Sequence, residues 1–163
     1  MLETERLLLI PFDREHVPFL HRLWTDTEVR RYLWDDRIIS VDEAAEVVEA
    51  SLQSYGMWLL RRKDDGEDIG FCGLRDFDDP PQVEILYALF PAHWRQGLAT
   101  EASREVLRYV FEDLGLDKVY AGADPPNETS FKVMERLGMT FDSRRIIDGR
   151  EAIYYFMLRN RPL

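Results

Sequence analysis

Residues 82–102 read QVEILYALFPAHWRQGLATEA. An apolar run, VEILYALF, is stopped by Pro91, and a helix-forming segment with small residues in its first turns opens at Gly97. The run has strand character, and at a period of two Val83, Ile85, Tyr87 and Leu89 share one face while Glu84, Leu86, Ala88 and Phe90 share the other. A strand that is apolar on both sides and passes through a glycine into a helix belongs inside a layered sheet, not in an all-helical bundle.

The flanking segments extend this pattern. Residues 6–12 (RLLLIPF) suit a buried strand, and Asp13 offers an N-cap to a helix with Val17, Leu20 and Trp24 inward. A short charged helical piece at 26–34 ends at Trp34. Ser40 with Glu43 forms a capping box for a helix at 41–54. MWLLRRK (57–63) and IGFCGLRDF (69–77) read as a hairpin, and DDPP breaks the pattern before the strand at 82–90. The helix from 97 to 114 carries Leu98, Ala102, Val106 and Leu114 at helical spacing and ends at Gly115. KVYAGA (118–123) is a strand and NETSFKVMERLG (127–138) a helix with Phe131, Met134 and Leu137 inward. MTFDSRRII and REAIYYFML close the chain as strands joined at Asp148-Gly149, and Tyr154 and Tyr155 alternate in the last. The order β-α-α-β-β-β-α-β-α-β-β predicts one α/β (α+β mixed) domain over 1–163, with about seven strands in a mostly antiparallel mixed sheet and helices on both faces.

The chain of 163 residues carries a net charge of −10, so no large basic face is on offer to nucleic acid or to an anionic membrane, whereas a cationic amine is tolerated. Its N-terminus has acids where an export signal has bases, and its apolar run is too short to span a bilayer, which makes the cytoplasm the expectation. Cys72, the single cysteine, lies in an apolar stretch and reads as a buried, inert thiol. His16 and His21 are not in HExxH spacing, and no Cys/His cluster suggests a metal. His93, just before the helix entrance, reads as a solvated loop residue, with contact to a bound cofactor as the alternative.

The helix entrance carries the chemistry. Unpaired backbone N–H groups and the positive dipole end suit a phosphate or pyrophosphate, Gly97 lets it approach, and Arg95 adds a fixed charge. GxGxxG and GxxxxGK[ST] are both absent. QVEILYALFPAHWRQGLATEA followed by NETSFKVMERLGM, with TERLLLIPF and IGFCGL ahead of them, resembles the GCN5-related N-acetyltransferase (GNAT) superfamily and, within it, the RimJ/RimL-like branch. The superfamily loop Q/R-x-x-G-x-G/A stands here as Trp94-Arg95-Gln96-Gly97-Leu98-Ala99, with tryptophan departing from the rule at the first position. The resemblance implies a GNAT-like fold, acetyl-CoA as co-substrate, and pyrophosphate held by the backbone of Arg95, Gln96, Gly97, Leu98, Ala99 and Thr100. It also implies a pantetheine arm between strands 82–90 and 118–123, with Leu86 and Ala88 as backbone contributors.

Glu84 has two readings. As a residue near the start of its strand it can reach solvent; as a carboxylate in an apolar face it is a general base for an amine whose pKa is about 10. The resemblance favours the base. Asn127 and Ser130 likewise read as an N-cap and an ordinary first-turn residue; the N-x-x-S pattern of the resembled branch places Asn127 on the cofactor arm and Ser130 at the sulfur. The tyrosine that many superfamily members carry in this helix has no counterpart between Tyr120 and Tyr154. Trp34, Tyr55 and Trp58 fall where the resembled fold covers its acceptor, and they read as core or as substrate wall. The expected function is transfer of acetyl from acetyl-CoA to a primary amine, a small molecule or a protein N-terminus; a homodimer is compatible with the resemblance. The rivals are a non-catalytic acyl-CoA-binding sensor or docking domain, and an unrelated α/β domain in which Gly97 only makes a turn.

Overall fold

The computed structural model describes residues 1–33, 36–77, 81–147 and 149–159. Trp34, most of the DDPP segment and Asp148 of the last turn lie outside them. Eight strands form one sheet: β1 (Leu2–Glu3), β2 (Leu7–Pro11), β3 (Met57–Arg62), β4 (Asp68–Phe77), β5 (Gln82–Leu89), β6 (Lys118–Ala123), β7 (Thr140–Ile147) and β8 (Arg150–Leu158). Their spatial order is β1-β2-β3-β4-β5-β6-β8-β7. Every neighbouring pair is antiparallel except β5–β6, which is parallel. The strand beyond the expected seven is β1, where Leu2 pairs Leu9 and Glu3 pairs Leu8. A strand this short has no alternation from which to be read.

Helices α1 (Val17–Thr25), α2 (Thr27–Arg30) and α3 (Val41–Ser51) cover one face. The Asp13 cap holds a 3₁₀ turn at Arg14–His16 that leads into α1, with Asp13 Oδ1 accepting from the Glu15 N–H at 2.8 Å. The capping box before α3 closes reciprocally, Glu43 N–H to Ser40 Oγ at 3.1 Å and Ser40 N–H to Glu43 Oε2 at 2.7 Å. Leu20, Leu23, Trp24, Ala44 and Val48 pack from these helices onto Met57, Leu59 and Phe71. Each large apolar side chain buried this way contributes about 1.5–3 kcal/mol relative to exposure.

Helices α4 (Leu98–Arg108) and α5 (Glu128–Arg136) cover the other face. Leu98, Ala102, Val106 and Met134 meet Trp58, Leu60, Val83, Ile85 and Leu89 there. The long helix expected to 114 keeps α geometry only to Arg108; a π turn at Tyr109–Asp113 completes it, with the Leu114 N–H donating to the Tyr109 carbonyl at 3.0 Å. Among the described residues no helix is long and apolar enough to cross a membrane.

Candidate active site

The strand-to-helix junction at the end of β5 is shaped by two left-handed residues. Arg95 has φ 61° and Gly97 φ 77°. Glycine adopts that region at no steric cost, whereas Arg95 is strained there. Left-handed residues alternating with others turn successive N–H groups toward one concavity, which suits an anion. Among the described residues no side chain caps α4. The N–H groups of its first turn therefore stay open to a ligand. Thr100 is buried, yet its hydroxyl has no hydrogen-bond partner among the described residues. A cavity of about 460 Å³ lies over this turn, lined by Arg6, Gly97, Thr100, Arg104 and Arg136 among others.

Arg6 is held by Glu101 through Nε at 2.7 Å and Nη2 at 2.6 Å, and it donates to the Gln96 carbonyl at 3.0 Å. Burial pushes Glu101 up, but hydrogen bonds from Thr4 and Arg6 outweigh it and hold the carboxyl below its usual value. Arg104 and Arg136 are exposed and have no partner among the described residues, so theirs is the free positive charge of the cavity. Trp94, at the variant first position of the loop, does not face the cavity as a donor. Its indole N–H closes on the Leu89 carbonyl at 2.7 Å and ties the loop to the end of β5. His93 is buried, not solvated. Its Nε2 lies 3.5 Å from Glu67 Oε1 because the 3₁₀ turn Pro91–His93 folds the ring inward.

Beside the junction, β5 and β6 part. Glu84 pairs with Tyr120, and no later residue of β5 pairs with β6, which instead pairs with β8 along its whole length. Antiparallel pairing alternates the direction of the backbone groups. The Phe90 N–H donates to the Ile69 carbonyl at 2.9 Å, and the β4–β5 register is unbroken from that end. Residues 84, 86 and 88 therefore bond to β4, and 85, 87 and 89 turn toward β6. Leu86 and Ala88, the expected backbone contributors, are committed to β4; the groups that open into the gap belong to Tyr87 and Leu89.

Glu84 stands at the apex of that gap. Its side chain is only 3% exposed, so the solvent-reaching reading does not describe it. The register sets Arg75 directly opposite, and the guanidinium donates through Nε at 2.9 Å, with Nη2 at 2.8 Å. Burial raises the Glu84 carboxyl above its ordinary value, more than the charge and hydrogen bond of Arg75 and the Gly122 N–H lower it. A Cβ on Gly122 would stand 2.7 Å from the Tyr154 ring and 3.0 Å from Glu84 Oε1, so a glycine is required there. Tyr154 stacks on Phe77 at 5.2 Å, and the Arg145 guanidinium lies 4.8 Å above the Tyr154 ring.

From the opposite face α5 brings Asn127 and Ser130. The Asn127 side-chain oxygen caps the helix, accepting from the Ser130 N–H at 3.2 Å and the Thr129 hydroxyl at 3.0 Å. The Ser130 hydroxyl lies 2.9 Å from the Tyr87 hydroxyl, which also donates to the Ser130 carbonyl at 3.1 Å. Sequence reasoning missed Tyr87 and Arg75, since nothing local links either to a partner on another element. Tyr55 and Trp58 line a separate cavity of about 330 Å³ with Phe12, Leu52 and Tyr109. Trp58 is core, edge-on to Tyr109 at 5.3 Å. None of the loop or gap residues borders that cavity.

Residues 6–140 match the acetyltransferase (GNAT) domain family. A Bacillus licheniformis protein, the uncharacterised N-acetyltransferase p20, is 29% identical, covering 98% of this chain and 96% of its own. A GNAT-family acetyltransferase from Bacillus anthracis superposes with a TM-score of 0.84 at 20% identity, over 98% of this chain and 99% of that one. A spermidine N-acetyltransferase from Vibrio cholerae, solved with CoA and spermine, gives 0.79 at 21% identity, over 94% and 95%. The chain belongs to the GNAT acetyltransferase family and is an acetyl-CoA-dependent N-acetyltransferase.

Proposed function

We propose that this enzyme, of the RimJ/RimL-like branch, moves an acetyl group directly to a primary amine, with Glu84 as general base. The observation that carries the reading is a buried carboxylate of raised proton affinity at the point where β5 and β6 separate. Acetyl-CoA supplies the activated thioester. The open first turn of α4 and the orphaned Thr100 hydroxyl fit its pyrophosphate, and the gap beyond Glu84 fits its pantetheine arm. Arg104 and Arg136, on the cavity wall and without a partner among the described residues, suit its remaining phosphate.

In this scheme Glu84 takes the proton that the attacking amine must lose, directly or through a water; a carboxyl whose value is lifted toward neutrality does this better than an ordinary one. The Tyr87 N–H, turned into the gap, donates to the thioester carbonyl. The Ser130 hydroxyl donates to the departing sulfur, and Asn127 fixes the turn that carries it. The acceptor is a small primary amine or a protein N-terminus, and the Vibrio cholerae relative bound to spermine supports the former. The test is thiol release from acetyl-CoA with spermidine and with a peptide bearing a free N-terminus. Amine-dependent release that is lost in Glu84→Gln supports the reading. CoA binding with no turnover on any amine would favour a sensor or docking domain.

A further inference from the structure

The geometry points to Tyr87 as a positioning residue that aims the Ser130 hydroxyl at the cofactor sulfur, an inference that rests on the reading of Ser130 above. The two residues are far apart in sequence. Tyr87 lies on the face of β5 that looks toward α5, and its hydroxyl reaches both the Oγ and the carbonyl oxygen of Ser130, at 2.9 and 3.1 Å.

A serine in the first turn of a helix ordinarily rotates its proton onto a nearby backbone carbonyl, where it serves nothing else. Here the Tyr87 hydroxyl, with a single proton to give, stands within reach of both Ser130 oxygens and can direct that proton to Oγ in place of the carbonyl. When Tyr87 donates to Oγ, the serine's own proton is left to point away from the helix. Burial raises the Tyr87 phenol well above its ordinary value, so it remains a donor at any pH the enzyme meets. Neither residue gives up its proton. The amine's proton goes to Glu84, and the sulfur leaves as a thiolate stabilised by a hydrogen bond that Tyr87 orients.

The experiment reads the thiolate of bound CoA by its ultraviolet absorbance against pH, with the desulfo-CoA complex as blank. It needs neither an acceptor nor turnover. Cys72, the single cysteine, is buried with its thiol pushed up to about 12, so it adds no signal near neutrality. Bound CoA is expected to ionise at lower pH than free CoA. Ser130→Ala and Tyr87→Phe should each lower the thiolate fraction at fixed pH by about tenfold, equivalent to ~1.4 kcal/mol. The double variant should fall no further than Ser130→Ala alone, and CoA affinity by calorimetry, at a pH below the ionisation of the bound thiol, should hold in all three.

A Tyr87→Phe titration that matches wild type overturns the proposal. So does an effect of Tyr87→Phe that persists when Ser130 is already alanine. Loss of CoA affinity in Tyr87→Phe but not in Ser130→Ala would make the tyrosine a wall of the channel and overturn it equally. Failure of the wild type to bind CoA at all would instead remove the functional reading beneath it.

Discussion

Glu84→Gln separates a catalytic base from a structural ion pair because the two readings give opposite signs for stability. The substitution keeps the volume and removes the charge. Loss of a general base costs about 10²–10⁴ in rate, or roughly 3–5 kcal/mol of barrier. The ion pair contributes little to folding: the Arg75 side chain is 56% exposed, so the pair is screened and contributes about 1 kcal/mol or less. Against that gain stands the desolvation of a carboxylate that is 3% exposed, which wins, since the carboxyl is raised.

The pH dependence follows from that direction. A carboxyl raised on folding holds its proton in the native state over a window where the unfolded chain has released it. Stability from this group is fully present below the unfolded value and is lost as pH rises through the folded value. Glutamine has no such slope. In thermal unfolding at pH 5 and pH 8, the melting temperature of Glu84→Gln relative to wild type should therefore increase with pH, and at pH 8 it should not lie below wild type. Thiol release with the best amine should fall at least a hundredfold in the same preparation. A melting temperature lowered by more than about 4 °C at pH 8, on the order of 1–2 kcal/mol for a chain this size, would refute the argument and make Glu84 a structural partner of Arg75.

Three further outcomes test the remaining parts of the site. Thr100→Val removes a buried hydroxyl with no partner among the described residues, so the ligand-free protein should be unchanged or stabilised by up to about 1 kcal/mol while calorimetry shows weaker CoA binding. Arg104→Glu combined with Arg136→Glu should weaken CoA more than dephospho-CoA; equal losses for the two ligands would show that these arginines do not meet the ribose phosphate. Gly122→Ala places a methyl against the Tyr154 ring and the Glu84 carboxylate, and denaturant unfolding should report a loss of about 1–3 kcal/mol with a parallel fall in activity.

Much of this protein was legible in its sequence because the signals are local. The cap at Ser40, the strand at 118–123 and the N-cap at Asn127 each rest on residues within one turn or one strand, and the structure places them as read, while the Asp13 cap holds the 3₁₀ turn that leads into α1. Gly97 at the head of α4 was equally readable, since a left-handed residue before a helix favours glycine. The two-residue β1 and the π turn after Arg108 were not, the first being too short to show a period and the second being set by packing at the helix end.

The site divides the same way. Sequence alone determined that Glu84 lies in an apolar strand face and that Ser130 sits in the first turn of a helix. Only the tertiary structure decided what surrounds them. Register across two strands set Arg75 opposite Glu84; the end of pairing after Tyr120 opened the gap; and the alternation from Phe90 turned Tyr87 and Leu89, rather than Leu86 and Ala88, into it. The folding of α5 over β5 brought the Tyr87 hydroxyl to Ser130. Chemistry of this kind depends on distances of about 3 Å between residues many positions apart, and no local propensity encodes such a distance.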